Sequence, residues 1–156
     1  MNYEKIAVDT ISDISEKIIG VKGEASYVCE EISPISVENT TIIIGIAGQI
    51  KGQLIFGFTE ETVRAIASKM IGQKVEMIDE LAMSAIAEFA NVLSGNVTIN
   101  LVESGSKRLG VSPPSIVTGK HMKISTKIKP IHKFKIEYSG IGDITLNIAL
   151  KEKTNK

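Results

Sequence analysis

The sequence predicts an α+β fold: an antiparallel sheet packed by long helices and built from a pseudo-duplicated helix–hairpin unit. Three observations predict it. Apolar residues recur at helical spacing in three segments. Several runs are β-branched or alternate in polarity like strands. And Ile32-Ser-Pro-Ile-Ser-Val37 is echoed by Val111-Ser-Pro-Pro-Ser-Ile-Val117, each lying between a helix and a hairpin.

Tyr3 to Ile19 places Ile6, Ala7, Ile11, Ile14 and Ile18 on one helical face, and Gly20 ends it. A polar, mixed stretch runs to about Asn39. Thr41–Ala47 and Ile50–Phe58 follow as strands, with Gly48-Gln49 as their hairpin turn. Thr59 is the N-cap of a helix with Glu60 and Glu61 in its first turn, and that helix stops at Gly72. Asp79 opens a long helix that reaches about Glu103. Gly105–Gly110 reads as a loop. Two prolines keep Val111–Val117 from being a central strand. Met122–Ile128, Ile131–Tyr138 and Asp143–Leu150 alternate as strands, and Thr154–Lys156 is a frayed tail.

The chain of 156 residues suffices for one domain, spanning 1–156, with a real core. Lys+Arg and Asp+Glu are equal at 18 each, so no electrostatic footprint for nucleic acid or an anionic membrane surface stands out. Trp is absent and aromatics make up 4%, which argues against base-stacking platforms. The N-terminus carries alternating charges and reads as neither signal peptide nor membrane span. Cys29 is the one cysteine, in keeping with a reducing cytoplasm.

The helix from Asp79 holds the chemistry. At about 100° per residue, Ser84, Glu88, Asn91 and Gly95 fall within an arc of roughly 60°. Ala82, Ile86, Phe89, Leu93 and Val97 cluster opposite, as for a helix packed on a sheet. A plain solvated face is the simplest explanation, since an exposed Glu is an ordinary helix residue. Three details oppose it. Asn is a poor mid-helix residue. Gly in a helix interior costs roughly 0.5–1 kcal/mol relative to Ala. No Lys or Arg occurs from Glu80 to Glu103. The seam is flat enough for another surface to lie on it. A side-chain amide can hold a water by donating and accepting at once, and a carboxylate can grip a partner's lysine. Such a pair contributes positioning, the protein's main share in phosphoryl transfer.

Ser84, Glu88, Asn91 and Gly95 fit the pattern [D/S]-x3-E-x2-N-x3-G, and with it the chain resembles the CheC/CheX/FliY phosphatases of bacterial and archaeal chemotaxis. The likeness extends to Asp79–Asn91, to the Gly45–Gly52 hairpin and to Val111–Gly119, so it covers nearly the whole chain. The first helix offers Glu16 but Ile19 where a second asparagine would stand, which favours the single-motif CheX type over CheC. The resemblance implies a CheC-like fold and a phosphatase acting on the phospho-aspartate of a CheY-type receiver domain, so as to terminate chemotaxis signalling. It implies that Glu88 anchors a lysine of the receiver and Asn91 orients the attacking water, with Ser84 and Gly95 as partner-binding members of the seam. It also implies that Mg2+ belongs to the receiver, with no cofactor of this chain's own, and that the protein is a cytoplasmic homodimer joined through its sheets. A non-catalytic receiver-binding or flagellar-switch-like docking module of the same fold is the alternative, and the intact Glu88/Asn91 pair favours catalysis.

Other constellations are weaker. His121 and His132 have no neighbouring cluster and read as surface or edge-strand residues, so no metal site is expected. Cys29 has nothing to activate it. Gly45, Gly48 and Gly52 hint at a phosphate loop, but flanking β-runs and the lack of a following Gly-Lys-Ser/Thr make them a hairpin. Lys123, Lys127, Lys129, Lys133 and Lys135 read as a solvated sheet face or a guarded edge, with an acidic partner as the minority reading.

Overall fold

The computed structural model describes residues 2–153. Helix α1 spans Tyr3–Ile19; Asn2 caps its start and Gly20 its end in a left-handed conformation (φ 76°). Strands β1 (Glu24–Glu31) and β2 (Ile35–Ser36) follow, then the hairpin β3 (Thr40–Gly48) and β4 (Ile50–Phe58). Helix α2 (Glu60–Ile71) starts on the Thr59 hydroxyl and ends at Gly72; α3 (Glu80–Glu103) starts on the Asp79 carboxylate, which accepts from the Ala82 N–H at 2.9 Å. Strands β5 (Leu109–Val111), β6 (Ser115–Thr118), β7 (Lys123–Ile124), β8 (Ile131–Tyr138) and β9 (Gly142–Glu152) complete the fold. The expected caps sit where their hydrogen-bonding chemistry puts them, so all three helices keep their expected bounds.

Seven strands form one sheet in the order β1-β8-β9-β4-β3-β5, with β6 also on β3. Every pairing in it is antiparallel. The strand after α1 lies on the second hairpin, and the strands after α3 lie on the first. The two helix–hairpin halves therefore exchange their outer strands across the β4–β9 pair, which is the duplication in three dimensions. The short β2–β7 ribbon forms a separate two-stranded sheet, with β2 directly after Ser33-Pro34.

All three helices cover one face. Their apolar stripes meet Ile42, Leu54, Phe56, Ile136, Leu146 and other alternate strand residues in the main core. A smaller cluster of Ile35, Ile55, Ile131 and Ala149 lies on the other face beneath the β2–β7 ribbon.

The structure corrects four expectations. The stretch before Asn39 contains β1, which the sequence hides because its residues are mostly exposed and show no buried alternation. Met122–Ile128 contracts to the two-residue β7; its alternating polarity mimics a strand, but only Ile35 and Ser36 are there to pair with it. The loop at 105–110 gives up Leu109 and Gly110 to β5. Strand β8, with His132, Lys133 and Lys135, is an inner strand and not an edge, because β1 covers it. The prolines do fall between β5 and β6, at the sheet's rim. Thr154–Lys156 lie outside the described residues.

Candidate functional site

Helix α3 is held at two places. Phe89, fully buried, meets Tyr138 edge-on with ring centroids 6.4 Å apart, and the Tyr138 hydroxyl shares a 2.7 Å hydrogen bond with the Ser15 Oγ of α1. Burial pushes the Tyr138 pKa up to about 12, opposed by the hydrogen bond with Ser15. Toward the C-terminus, the Asn100 amide donates to Thr10 Oγ1 at 2.8 Å. With Ala82, Ile86, Leu93 and Val97 also buried, the rotation of α3 about its axis is fixed.

That rotation turns the seam outward. Ser84 and Glu88 are exposed; Asn91 and Gly95 are half-buried. All four expected site residues lie on one side of one helix, and the i, i+3 spacing brings Glu88 and Asn91 side by side. The helix has three asparagines. Asn96 donates to the Val92 carbonyl at 2.8 Å and Asn100 to Thr10. The Asn91 side chain has no hydrogen bond among the described residues, nor has the Glu88 side chain a hydrogen bond or ion pair; both keep their full capacity for a partner. A Cβ on Gly95 would meet nothing within 4 Å. The fold does not need a glycine there, so its helix-weakening presence calls for an external reason.

Three apolar residues on the same side were not part of the sequence reading. Leu81 is 57% exposed, Ile99 55% and Val102 38%. The signal was available, since at about 100° per residue all three fall within roughly 60° of Ser84. They extend the seam at both ends and leave a strip with polar atoms only in its middle.

The first helix offers no second copy. Glu16 is exposed, but Ile19 is only 3% exposed and packs in the main core. His132 Nδ1 lies 3.1 Å from the Tyr27 hydroxyl, and His121 sits in a turn with φ 56°. Among the described residues, no group of three or more His, Cys, Asp or Glu comes together. No helix among them is long and apolar enough to cross a membrane.

Comparison with known proteins bears on this geometry. The family model described as chemotaxis phosphatase CheX matches residues 40–139, a span that includes the whole seam. The chain is 34% identical over 122 residues to the CheY-P phosphatase CheX of Thermotoga maritima, with 77% of each chain covered. A crystal structure of the chemotaxis protein CheX from Desulfovibrio desulfuricans is similar with a TM-score of 0.80 at 20% identity, covering 97% of this chain and 100% of that one. The CheX–CheY–BeF3–Mg2+ complex from Borrelia burgdorferi gives a TM-score of 0.79 at 22% identity over 97% and 99% of the two chains. The last two likenesses show a shared fold.

Proposed function

The chain belongs to the CheX family of chemotaxis phosphatases, and from that premise we propose that it hydrolyses the phospho-aspartate of a CheY-type response regulator, with Asn91 orienting the attacking water and Glu88 docking the receiver. The observation that carries the assignment of roles is the contrast along α3. Its other asparagines are tied into the fold, whereas Asn91 and the adjacent Glu88 face outward without partners.

In this reading the receiver lies along α3. Glu88 accepts hydrogen bonds from an ammonium group of the receiver, a charge-assisted contact that fixes the register. The Asn91 side chain then enters the receiver's site, where its amide oxygen accepts from a water and its N–H donates to a phosphoryl oxygen. The water oxygen bonds to phosphorus as the phosphorus–carboxylate oxygen bond breaks. The products are the free aspartate carboxylate and inorganic phosphate, with both water protons leaving on the phosphate. Mg2+, held by the receiver, neutralises charge on the transferring group; the Borrelia burgdorferi complex contains CheY with BeF3 and Mg2+. Ser84 and Gly95 give polar contact and close approach, and Leu81, Ile99 and Val102 bury apolar area at the two ends.

The same reading includes a cytoplasmic homodimer joined through the sheet. Exposed apolar side chains on and beside the outer strands support it: Tyr27, Val28 and Ile32 at β1, and Ile116 on β6.

The test is phosphate release from a phosphorylated CheY-type receiver, comparing wild type with Glu88→Ala and Asn91→Ala. Loss of release in both supports the roles. Unchanged release in both rejects them. A receiver that binds this chain yet keeps its own dephosphorylation rate would instead identify a docking module.

A further inference from the structure

Thr10, Ser15 and Ser68 each donate their hydroxyl to the carbonyl four residues back in their own helix, at 2.7, 2.6 and 2.6 Å. Thr98 of α3 donates to the Gly95 carbonyl at 2.7 Å. Ser94, in the middle of α3, departs from this habit. It is fully buried, and its Oγ has no hydrogen-bond partner among the described residues. A hydroxyl in that state has lost its hydration without compensation. Packing does not call for it, since alanine would occupy nearly the same space and is the better helix former. The oxygen therefore calls for a partner that the chain at rest does not supply.

Asn91 has the matching need. An amide has nearly the same shape with its oxygen and nitrogen exchanged, so shape alone does not decide which end meets the water. Holding a water on the oxygen and a phosphoryl oxygen on one N–H leaves the second N–H over. The side chains within reach along the helix are those three and four residues away: Ala87, Glu88, Ser94 and Gly95. Of these, only Glu88 and Ser94 carry polar atoms. They flank Asn91, each about 60° around the axis and on opposite sides of it. Glu88 is exposed, Ser94 is buried, and Asn91 is half-buried between them. Helical side chains lean toward the N-terminus, which carries the Ser94 oxygen over the turn that holds Asn91. With Glu88 turned to an ammonium group of the receiver, Ser94 is the polar side chain left to hold the amide.

We propose that Ser94 is the positioning residue for Asn91. On docking, the second amide N–H of Asn91 donates to Ser94 Oγ. That bond sets the amide with its oxygen toward the attacking water and its other N–H toward the phosphoryl group. Before docking, solvent satisfies the half-buried amide; the receiver excludes that solvent, and the buried hydroxyl takes its place. Ser94 itself touches neither the receiver nor the phosphoryl group. The role rests on the phosphatase reading of α3 and adds to it what turns the amide the right way round.

The test is phosphate release against receiver concentration for wild type, Ser94→Ala, Asn91→Ala and the double variant, with a thermal melt of each. Ser94→Ala should melt no lower than wild type. Its limiting rate should fall roughly three- to tenfold, the scale of one hydrogen bond, with the half-saturating receiver concentration unchanged. In the Asn91→Ala background the same substitution should lower the rate no further, because the group it orients is gone. A distorted helix would also disturb Glu88 and raise the half-saturating concentration; that result, or an equal fall in both backgrounds, overturns the positioning role. Full release by Ser94→Ala beside its loss in Asn91→Ala overturns the role of Ser94 and leaves the phosphatase reading standing. Full release by Asn91→Ala, or no release above the receiver's own rate by wild type, overturns that reading and the role of Ser94 together.

Discussion

Asn100 of α3 donates its side-chain amide to Thr10 Oγ1 of α1 at 2.8 Å, and Thr10 Oγ1 in turn donates to the Ile6 carbonyl at 2.7 Å. This chain of two bonds ties the C-terminal half of the functional helix to its neighbour. Asn100→Ala is expected to lower unfolding free energy by about 1–2 kcal/mol. Asn100 points roughly 160° away from Ser84 around the helix, so phosphate release at saturating receiver should stay within about twofold. Urea titration and a release assay on the same variant check both halves.

Asn91→Ala is expected to behave in the opposite way. With no bond to lose, the variant should be as stable as wild type, or more stable by up to about 0.7 kcal/mol, because Ala is the better helix former. Its turnover should fall on the order of 10²-fold, the scale of a lost positioning contact. A variant both unstable and inactive would mean that Asn91 serves the fold.

Glu88→Ala should separate from Asn91→Ala in a saturation curve. A docking carboxylate raises the receiver concentration needed for half-maximal release, with a smaller change in the limiting rate. Raising the salt concentration should weaken wild-type docking and leave the variant nearly insensitive. Equal salt sensitivity of the two proteins would rule out an ionic grip at this position.

Gly95 offers a pair of substitutions with diverging outcomes. Gly95→Ala has open space for its methyl group and should stabilise the protein by about 0.5–1 kcal/mol. Gly95→Leu should also fold, with an unchanged or higher melting temperature, yet lose phosphate release because the larger side chain holds the partner off the helix. Full release by Gly95→Leu would show that nothing approaches closely there.

Tyr138 sets an alkaline limit. Its pKa rises to about 12 in the folded protein because burial disfavours the phenolate, against about 10 for an exposed tyrosine. The folded state therefore holds this proton more tightly than the unfolded state. The contribution is complete below about pH 10 and is lost as pH rises toward 12, a matter of about 2–3 kcal/mol. Tyr138→Phe should flatten that decline. Denaturant midpoints at pH 8 and pH 11 for both proteins measure it.

How much of this was readable in the sequence follows from where the determinants lie. Helix bounds were readable because their causes are local: Thr59 and Asp79 accept from their own first turns, and Gly20 and Gly72 take the left-handed conformation at the ends. Strand β1 was not, because what makes Glu24–Glu31 a strand is β8, more than a hundred residues away, and its own side chains are mostly exposed. Strand β7 failed in the opposite sense, with local alternation and almost no neighbour. The seam was legible as angles on a helix. That Asn91 and Glu88 lack partners while Asn96 and Asn100 have them was not, since it depends on which side chains Thr10 and the α3 carbonyls bind.

The burial of Ile19 has an evolutionary consequence. Asparagine at that position would carry an amide into the core, at a cost of about 1–3 kcal/mol from a total margin of roughly 5–15. A one-step mutant would weaken the fold before any benefit reached selection, because the amide would face inward. The valency of the chain is thus locked by packing: one helix is free to drift toward tighter burial, and the other must keep its polar strip in the open.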